Sequence, residues 1–122
     1  MAQDLSGLKA VVLKALDDLK AVDVTVLDVT ALTSLTSLMV VATGTSNRHV
    51  RAIAEAARDA AKEAGYTVLG VEGEAGAEWV LVDLVDLVLH VMLPATRALY
   101  RLEDLWSARP GQARAGQVGD GA

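Results

Sequence analysis

The side chains able to do chemistry in this 122-residue chain are few and far apart. His49 and His90 are its only histidines and cysteine is absent, so a metal centre of imidazole and thiolate has no cluster to start from. His49 falls in the first turn of an expected helix and reads as a surface residue. His90, between Leu89 and Val91, reads as a satisfied, partly buried side chain rather than a catalyst. A triad drawn through Ser37 or Ser46 has no nucleophile-elbow sequence to support it. Gly44-Thr45-Ser46, followed by Arg48, could offer backbone N–H groups and a cation to an anion at a helix N-terminus. The plainer reading is a helix cap, because the stretch is neither a Walker loop nor a dinucleotide fingerprint.

The same turn resembles the Gly-Ser turn of nucleotidyltransferases, which makes metal-binding carboxylates the test. Those enzymes hold divalent ions on two acids at i and i+2 of an adjacent strand, where alternation places both on one face. Asp83 and Asp86 are three apart across an expected turn, and Thr67 to Val71 carries no acid, so the pair is missing. Both aspartates have a plain role in a turn, accepting nearby backbone N–H groups. Trp79 is harder to assign. Aromatic residues make up 3% of the chain and phenylalanine is absent, so a Trp opening a strand either plugs the core or anchors a partner.

The elements that must position these groups follow from periodicity. Leu5, Leu8, Val12, Leu16 and Leu19 fall at helical spacing among lysines and aspartates, which predicts a helix over 5–21 with one buried stripe. Val22, Val24 and Val26 alternate with Asp23, Thr25 and Leu27 and predict a strand with one apolar face. The Thr/Ser-rich segment 30–36 reads as a connection. The unbroken run Leu38 to Thr43 reads as an interior strand covered on both faces. Ser46 should cap a helix running to Ala64, with Gly65 as its left-handed stop and an alanine-rich packing face. A strand over 67–71 would complete a strand-helix-strand unit with a right-handed crossover, and the glycine-bearing stretch 70–77 reads as a loop. The nearly continuous apolar run 78–92, broken by Asp83, Asp86 and His90, predicts a hairpin. Pro94 should open a last helix, Ala95 to Trp106, with Leu99, Leu102, Leu105 and Trp106 available for packing. Residues 1–106 therefore read as one α/β domain. From Ser107 bulky apolar groups thin out, so 107–122 reads as a flexible tail, disordered from Arg109.

Composition narrows the function classes. With 52% hydrophobic residues the chain can build a single core. A net charge of −5 argues against a wide nucleic-acid footprint and for a basic protein partner. The acids Asp4, Asp17 and Asp18 break any signal-peptide pattern near the start, and no apolar run is long enough for a membrane helix. A cytoplasmic protein without a cofactor is the expectation.

Several stretches, in order, resemble the bacterial ribosomal silencing factor family, also called Iojap. They are Val26-Leu27-Asp28-Val29, Val41-Ala42-Thr43-Gly44-Thr45-Ser46-Asn47-Arg48-His49-Val50, Gly70-Val71-Glu72-Gly73, Trp79-Val80-Leu81-Val82-Asp83, Asp86-Leu87-Val88-Leu89-His90-Val91-Met92, and Arg97 to Trp106. The resemblance implies a mixed β-sheet flanked by helices, with nucleotidyltransferase-like topology but without the catalytic carboxylates or the activity. It implies a repressor that binds the large ribosomal subunit through ribosomal protein fourteen, blocks joining of the small subunit by steric exclusion, and lowers translation when nutrients are short. It further implies a homodimer when free, and contact residues at Trp79, Leu81, Asp83, Asp86 and His90, with Arg97 and Tyr100 on or supporting the last helix.

Two departures from the family pattern bear on geometry. Ser37-Leu38-Met39 replaces an Asp-Tyr-Phe-like or Asp-Cys-Phe-like segment, and Val85 stands where the family usually has glycine before the second hairpin acid. Valine tolerates positive φ poorly, so the turn should be of another type or strained. Two alternatives stay open on sequence. One is a nucleotide-binding or nucleotidyl-transferring enzyme using Gly44, Thr45, Ser46 and Arg48. The other is a dimerisation module that buries Trp79 and the hairpin edge against a second copy.

Overall fold

The structure is a computed structural model that describes residues 4–101. Helix α1 spans Leu5–Asp18 and buries Leu8, Val12, Ala15 and Leu16, the expected stripe. It stops three residues short of the expected end. Lys20 takes the left-handed conformation at φ 58, the Lys20 N–H donates to the Asp17 carbonyl and the Ala21 N–H to the Leu16 carbonyl. This is the Schellman closure that normally calls for glycine. Helix α2, Asn47–Glu63, closes in the same way, with Gly65 at φ 94 as its left-handed residue. Its start is capped by Ser46, whose hydroxyl accepts the His49 N–H at 3.1 Å.

Five strands form one mixed sheet in the order β1-β2-β5-β4-β3, with β1 Val22–Asp28, β2 Leu38–Thr43, β3 Gly70–Glu72, β4 Trp79–Asp83 and β5 Leu87–Met92. Strand β2 is interior as expected, antiparallel to β1 and parallel to β5. Strand β1 departs from the expected alternation. Its register shifts between Val22 and Thr25, where Asp23 has φ 50, and Val22 and Val24 are each 39% exposed. Val22 still pairs with Thr43, but the bulge breaks the alternation, and the partly buried run begins only at Thr25.

The expected strand over 67–71 is shorter and later, Gly70–Glu72, and lies at the sheet edge. It pairs antiparallel with β4, which pairs antiparallel with β5, so β3 runs in the direction of β2 with two strands between them. The β4–β5 hairpin supplies those two strands. Helix α3, Pro94–Tyr100, has no buried residue, and Leu99 is 74% exposed rather than packed. It ends with Arg101 in the left-handed conformation at φ 50. The expected continuation to Trp106, with Leu102 and Leu105, and the tail 107–122 lie outside the described residues.

Helices α1 and α2 cover one face of the sheet, where Val40, Ala42, Val80, Val82, Leu89 and Val91 meet Leu8, Val12, Val50, Ile53 and the alanines of α2. The other face carries a smaller cluster of Val29, Met39, Val41 and Met92, edged by Leu27 and Trp79. Neither long helix lies over it.

Candidate functional site: the sheet face opposite the long helices

Strand alternation decides which side chains reach the face opposite α1 and α2, where Val41 and Met92 are fully buried and the β4 side chains half-buried. On β4 these are Trp79, Leu81 and Asp83, and pairing sets them beside Met92, His90 and Val88 of β5. Strand β2 adds Thr43, Val41 and Met39 in the same three rows. The structure thus gathers Trp79, Leu81, Asp83 and His90 on one surface, with Asp86 on the hairpin turn at one end and Arg97 and Tyr100 on α3 at the other.

Trp79 is half-buried and stands in the end row, nearest α3. Its indole N–H donates to Nδ1 of His90 at 2.9 Å. Its ring lies 5.9 Å from the His90 ring and 4.8 Å from the Tyr100 ring, centroid to centroid, tilted by 51° and 49°. Indole is a donor only, so Nδ1 of His90 must accept and the neutral ring carries its proton on Nε2. His90 is 7% exposed, and burial pushes its imidazole down from the ordinary 6.5 to about 4. It is therefore neutral at physiological pH.

Arg97 is engaged within the chain. Its guanidinium donates to the Thr43 hydroxyl at 2.9 Å, to the Thr25 hydroxyl at 3.0 Å and to the Asp23 carbonyl. It clamps α3 onto β1 and β2, which a helix with no buried residue of its own requires, and so holds Tyr100 against Trp79.

The turn at the other end is tight. Asp86 N–H donates to the Leu84 carbonyl at 3.0 Å around Val85, whose φ is 74, and Asp83 accepts the Val85 N–H on Oδ1 at 3.0 Å. This is the positive-φ form of the γ-turn, which L residues seldom occupy. Both readings of Val85 meet here: the turn is of another type and it is strained.

Gly44, Thr45, Ser46 and Arg48 sit apart, at the end of β2 and the start of α2. The Gly44 N–H is taken by the Met92 carbonyl at 3.0 Å, the Thr45 N–H by Nδ1 of His49 at 2.9 Å, and the Ser46 hydroxyl serves the cap. A Cβ on Gly44 would come within 2.8 Å of the Val50 backbone nitrogen, so the glycine permits close contact with α2. His49 is not a plain surface residue. Half-buried, it accepts from Thr45 on Nδ1, so Nε2 carries the proton donated to the Leu19 carbonyl at 2.7 Å, tying the end of α1 to this turn. Its tie to Leu19 joins residues remote in sequence, a pairing that periodicity does not report.

Sequence reasoning also missed a hollow beside the hairpin turn. Leu35, Met39, Leu69, Val88, Asp83 and His90 are among its walls, and it encloses about 450 Å³. The segment 30–36 gave no sign of this, being read as a connection. Among the described residues no three His, Asp or Glu side chains converge as a metal site, and no helix is long and apolar enough to cross a membrane.

The fold and this surface define an α/β domain that carries a half-buried aromatic and acidic strip, Trp79, Leu81 and Asp83, on the sheet face opposite its long helices. Its sequence matches the family described as "Ribosomal silencing factor during starvation" over residues 2–120. The chain belongs to that family. A ribosomal silencing factor of Chromobacterium violaceum is 45% identical over 106 residues, covering 87% of each chain. A crystal structure of a protein from the same organism superposes with a TM-score of 0.84 at 44% identity, covering 88% of this chain and 90% of that one. A mouse relative named "Mitochondrial assembly of ribosomal large subunit protein 1" is 31% identical over 99 residues, covering 79% of this chain and 43% of the relative.

Proposed function

We propose that this protein is a non-catalytic repressor of translation, which binds the large ribosomal subunit through the β4 side of the sheet face opposite its long helices and excludes the small subunit by bulk. The observation that carries the reading is the half-buried strip Trp79, Leu81 and Asp83 on that face, with Trp79 braced by His90 and Tyr100 and with Asp86 beyond Asp83 on the turn. Aromatic anchors in partly desolvated surroundings are the usual energetic centres of protein interfaces. Acids at the rim would steer a basic ribosomal protein toward them, and ribosomal protein fourteen is the proposed contact. Membership of the silencing family and the large subunit in the mouse relative's name support the choice of target. In the bacterial cytoplasm, off the ribosome, the same face would bury against a second copy, so homodimer and ribosome complex would compete.

The test is co-sedimentation with separated large and small subunits. Leu81→Arg combined with Asp86→Arg alters the face while leaving the Trp79–His90 bond and the Asp83 turn bond in place. Wild type should pellet with large subunits alone, and the variant should remain in the supernatant with its thermal transition intact. Wild type staying in the supernatant with both subunits would refute the proposal. Equal pelleting of wild type and variant would move the contact away from this face. The nucleotide-binding alternative loses ground because the Gly44 and Thr45 N–H groups are already taken.

A further inference from the structure

We infer that the hollow beside the hairpin turn is the specificity pocket of this face, and that it takes one bulky aliphatic side chain of a basic protein loop while His90 Nε2–H donates to a main-chain carbonyl beside it. The inference rests on the proposed ribosomal function and names the chemistry that the partner must offer.

Three observations meet in the pocket. The first is its lining, in which Met39, Val88, Leu35 and Leu69 give an apolar floor and rim of about 450 Å³. Leu35 is 87% exposed and Leu69 64%, so two large aliphatic residues stand largely exposed at the mouth. The second is the state of His90, which also lines the pocket. The Trp79 bond fixes the proton on Nε2, and among the described residues Nε2 has no hydrogen-bond partner although the residue is 7% exposed. A buried donor without an acceptor is unfavourable, and a ligand that supplies one gains more than the same contact made in water. The third is charge. Asp83 lines the pocket and Asp86 follows on the turn, so a Lys or Arg flanking the inserted side chain finds a carboxylate there. An aliphatic group, a carbonyl and a neighbouring cation together describe a loop of a basic protein. A nucleotide or an acidic peptide would bring its negative charge against these aspartates.

The two nitrogens of His90 can be tested separately. Asparagine sets its amide near the position of Nδ1, and glutamine sets its amide near Nε2. His90→Asn keeps an acceptor for Trp79 and loses the outer donor, whereas His90→Gln keeps the outer donor. Val88→Phe fills the pocket and leaves His90 in place. Binding to purified large subunits is measured alongside thermal unfolding. The expected result is a loss of binding of about tenfold or more for His90→Asn and Val88→Phe, with His90→Gln within about threefold of wild type. Stability should follow the opposite order for the two His90 variants, with Asn above Gln, which a merely structural histidine would not produce. If wild type binds large subunits and both His90→Asn and Val88→Phe bind equally well, the pocket is not used and the ribosomal reading stands. If wild type does not bind large subunits, the ribosomal reading fails and this inference falls with it.

Discussion

Replacing Val85 by alanine and by glycine separates backbone strain from side-chain packing at the hairpin turn. Val85 has φ 74 and its neighbours are joined by the Asp86 N–H to Leu84 carbonyl bond, so any residue placed there must adopt a left-handed conformation. That conformation costs an L residue about 1–2 kcal/mol, while glycine gives up about 0.5–1 kcal/mol in chain entropy on folding. Both replacements lose the half-buried valine side chain, so this loss cancels between them. The glycine variant should therefore exceed the alanine variant in stability by about 0.5–1 kcal/mol, the reverse of the order in a helix or strand interior. For a domain of this size the difference corresponds to about 2–6 °C in Tm. Urea unfolding and calorimetry of the two variants, side by side, measure it. An alanine variant as stable as the glycine variant, or more so, would refute the claim that the turn stores backbone strain.

Other perturbations follow from the same geometry. Because the unfolded chain protonates His90 near the ordinary 6.5 and the folded chain only at about 4, the unfolded state holds more protons between these values and stability falls as pH drops through that window. At about 1.4 kcal/mol per unit, wild type should lose roughly 2 kcal/mol between pH 7.5 and pH 5, beyond whatever the His90→Asn variant loses in urea titrations. Gly44→Ala brings a Cβ to 2.7 Å from Val50 Cγ2 and 2.8 Å from its backbone nitrogen, so β2 and α2 must separate. A loss of about 2 kcal/mol in chemical denaturation is the expected outcome. Arg97→Met removes the clamp from a helix that buries nothing of its own, so amides of α3 should exchange with solvent about tenfold faster or more while those of β2 and β5 keep their protection.

Much of this fold was legible in the chain. The continuous apolar run of β2 announced an interior strand, Ser46 and Gly65 marked both ends of α2, and the broken apolar run from Trp79 to Met92 announced the hairpin. Such signals are local: they report how one element meets an apolar surface, whatever that surface is. Asp83 and His90 stood out as breaks in an apolar run, Trp79 as a scarce aromatic at its start, and Leu81 only through the family resemblance; that the four share a face is set by alternation along paired strands. The two helix ends show where local reading stops. Glycine at position 65 was a visible signal, whereas Lys20 takes the same left-handed closing position with a side chain that carries no such mark.

What the sequence by itself determined, then, is the type of each main element, the buried faces of α1 and α2 but not those of β1 and α3, and the family to which the ordered motifs belong. Only the tertiary structure decided the strand order that sends β3 to the edge and seats the hairpin between it and β2. Only it paired Trp79 with His90, spent Arg97 on threonine hydroxyls far away in sequence, joined His49 to Leu19, and opened a hollow between the 30–36 segment and the hairpin turn. The physical reason is the same in each case. Periodicity and turn chemistry act over a few residues and fix local conformation, but the partner of a buried polar group depends on which distant segments the close-packed core brings within hydrogen-bonding reach.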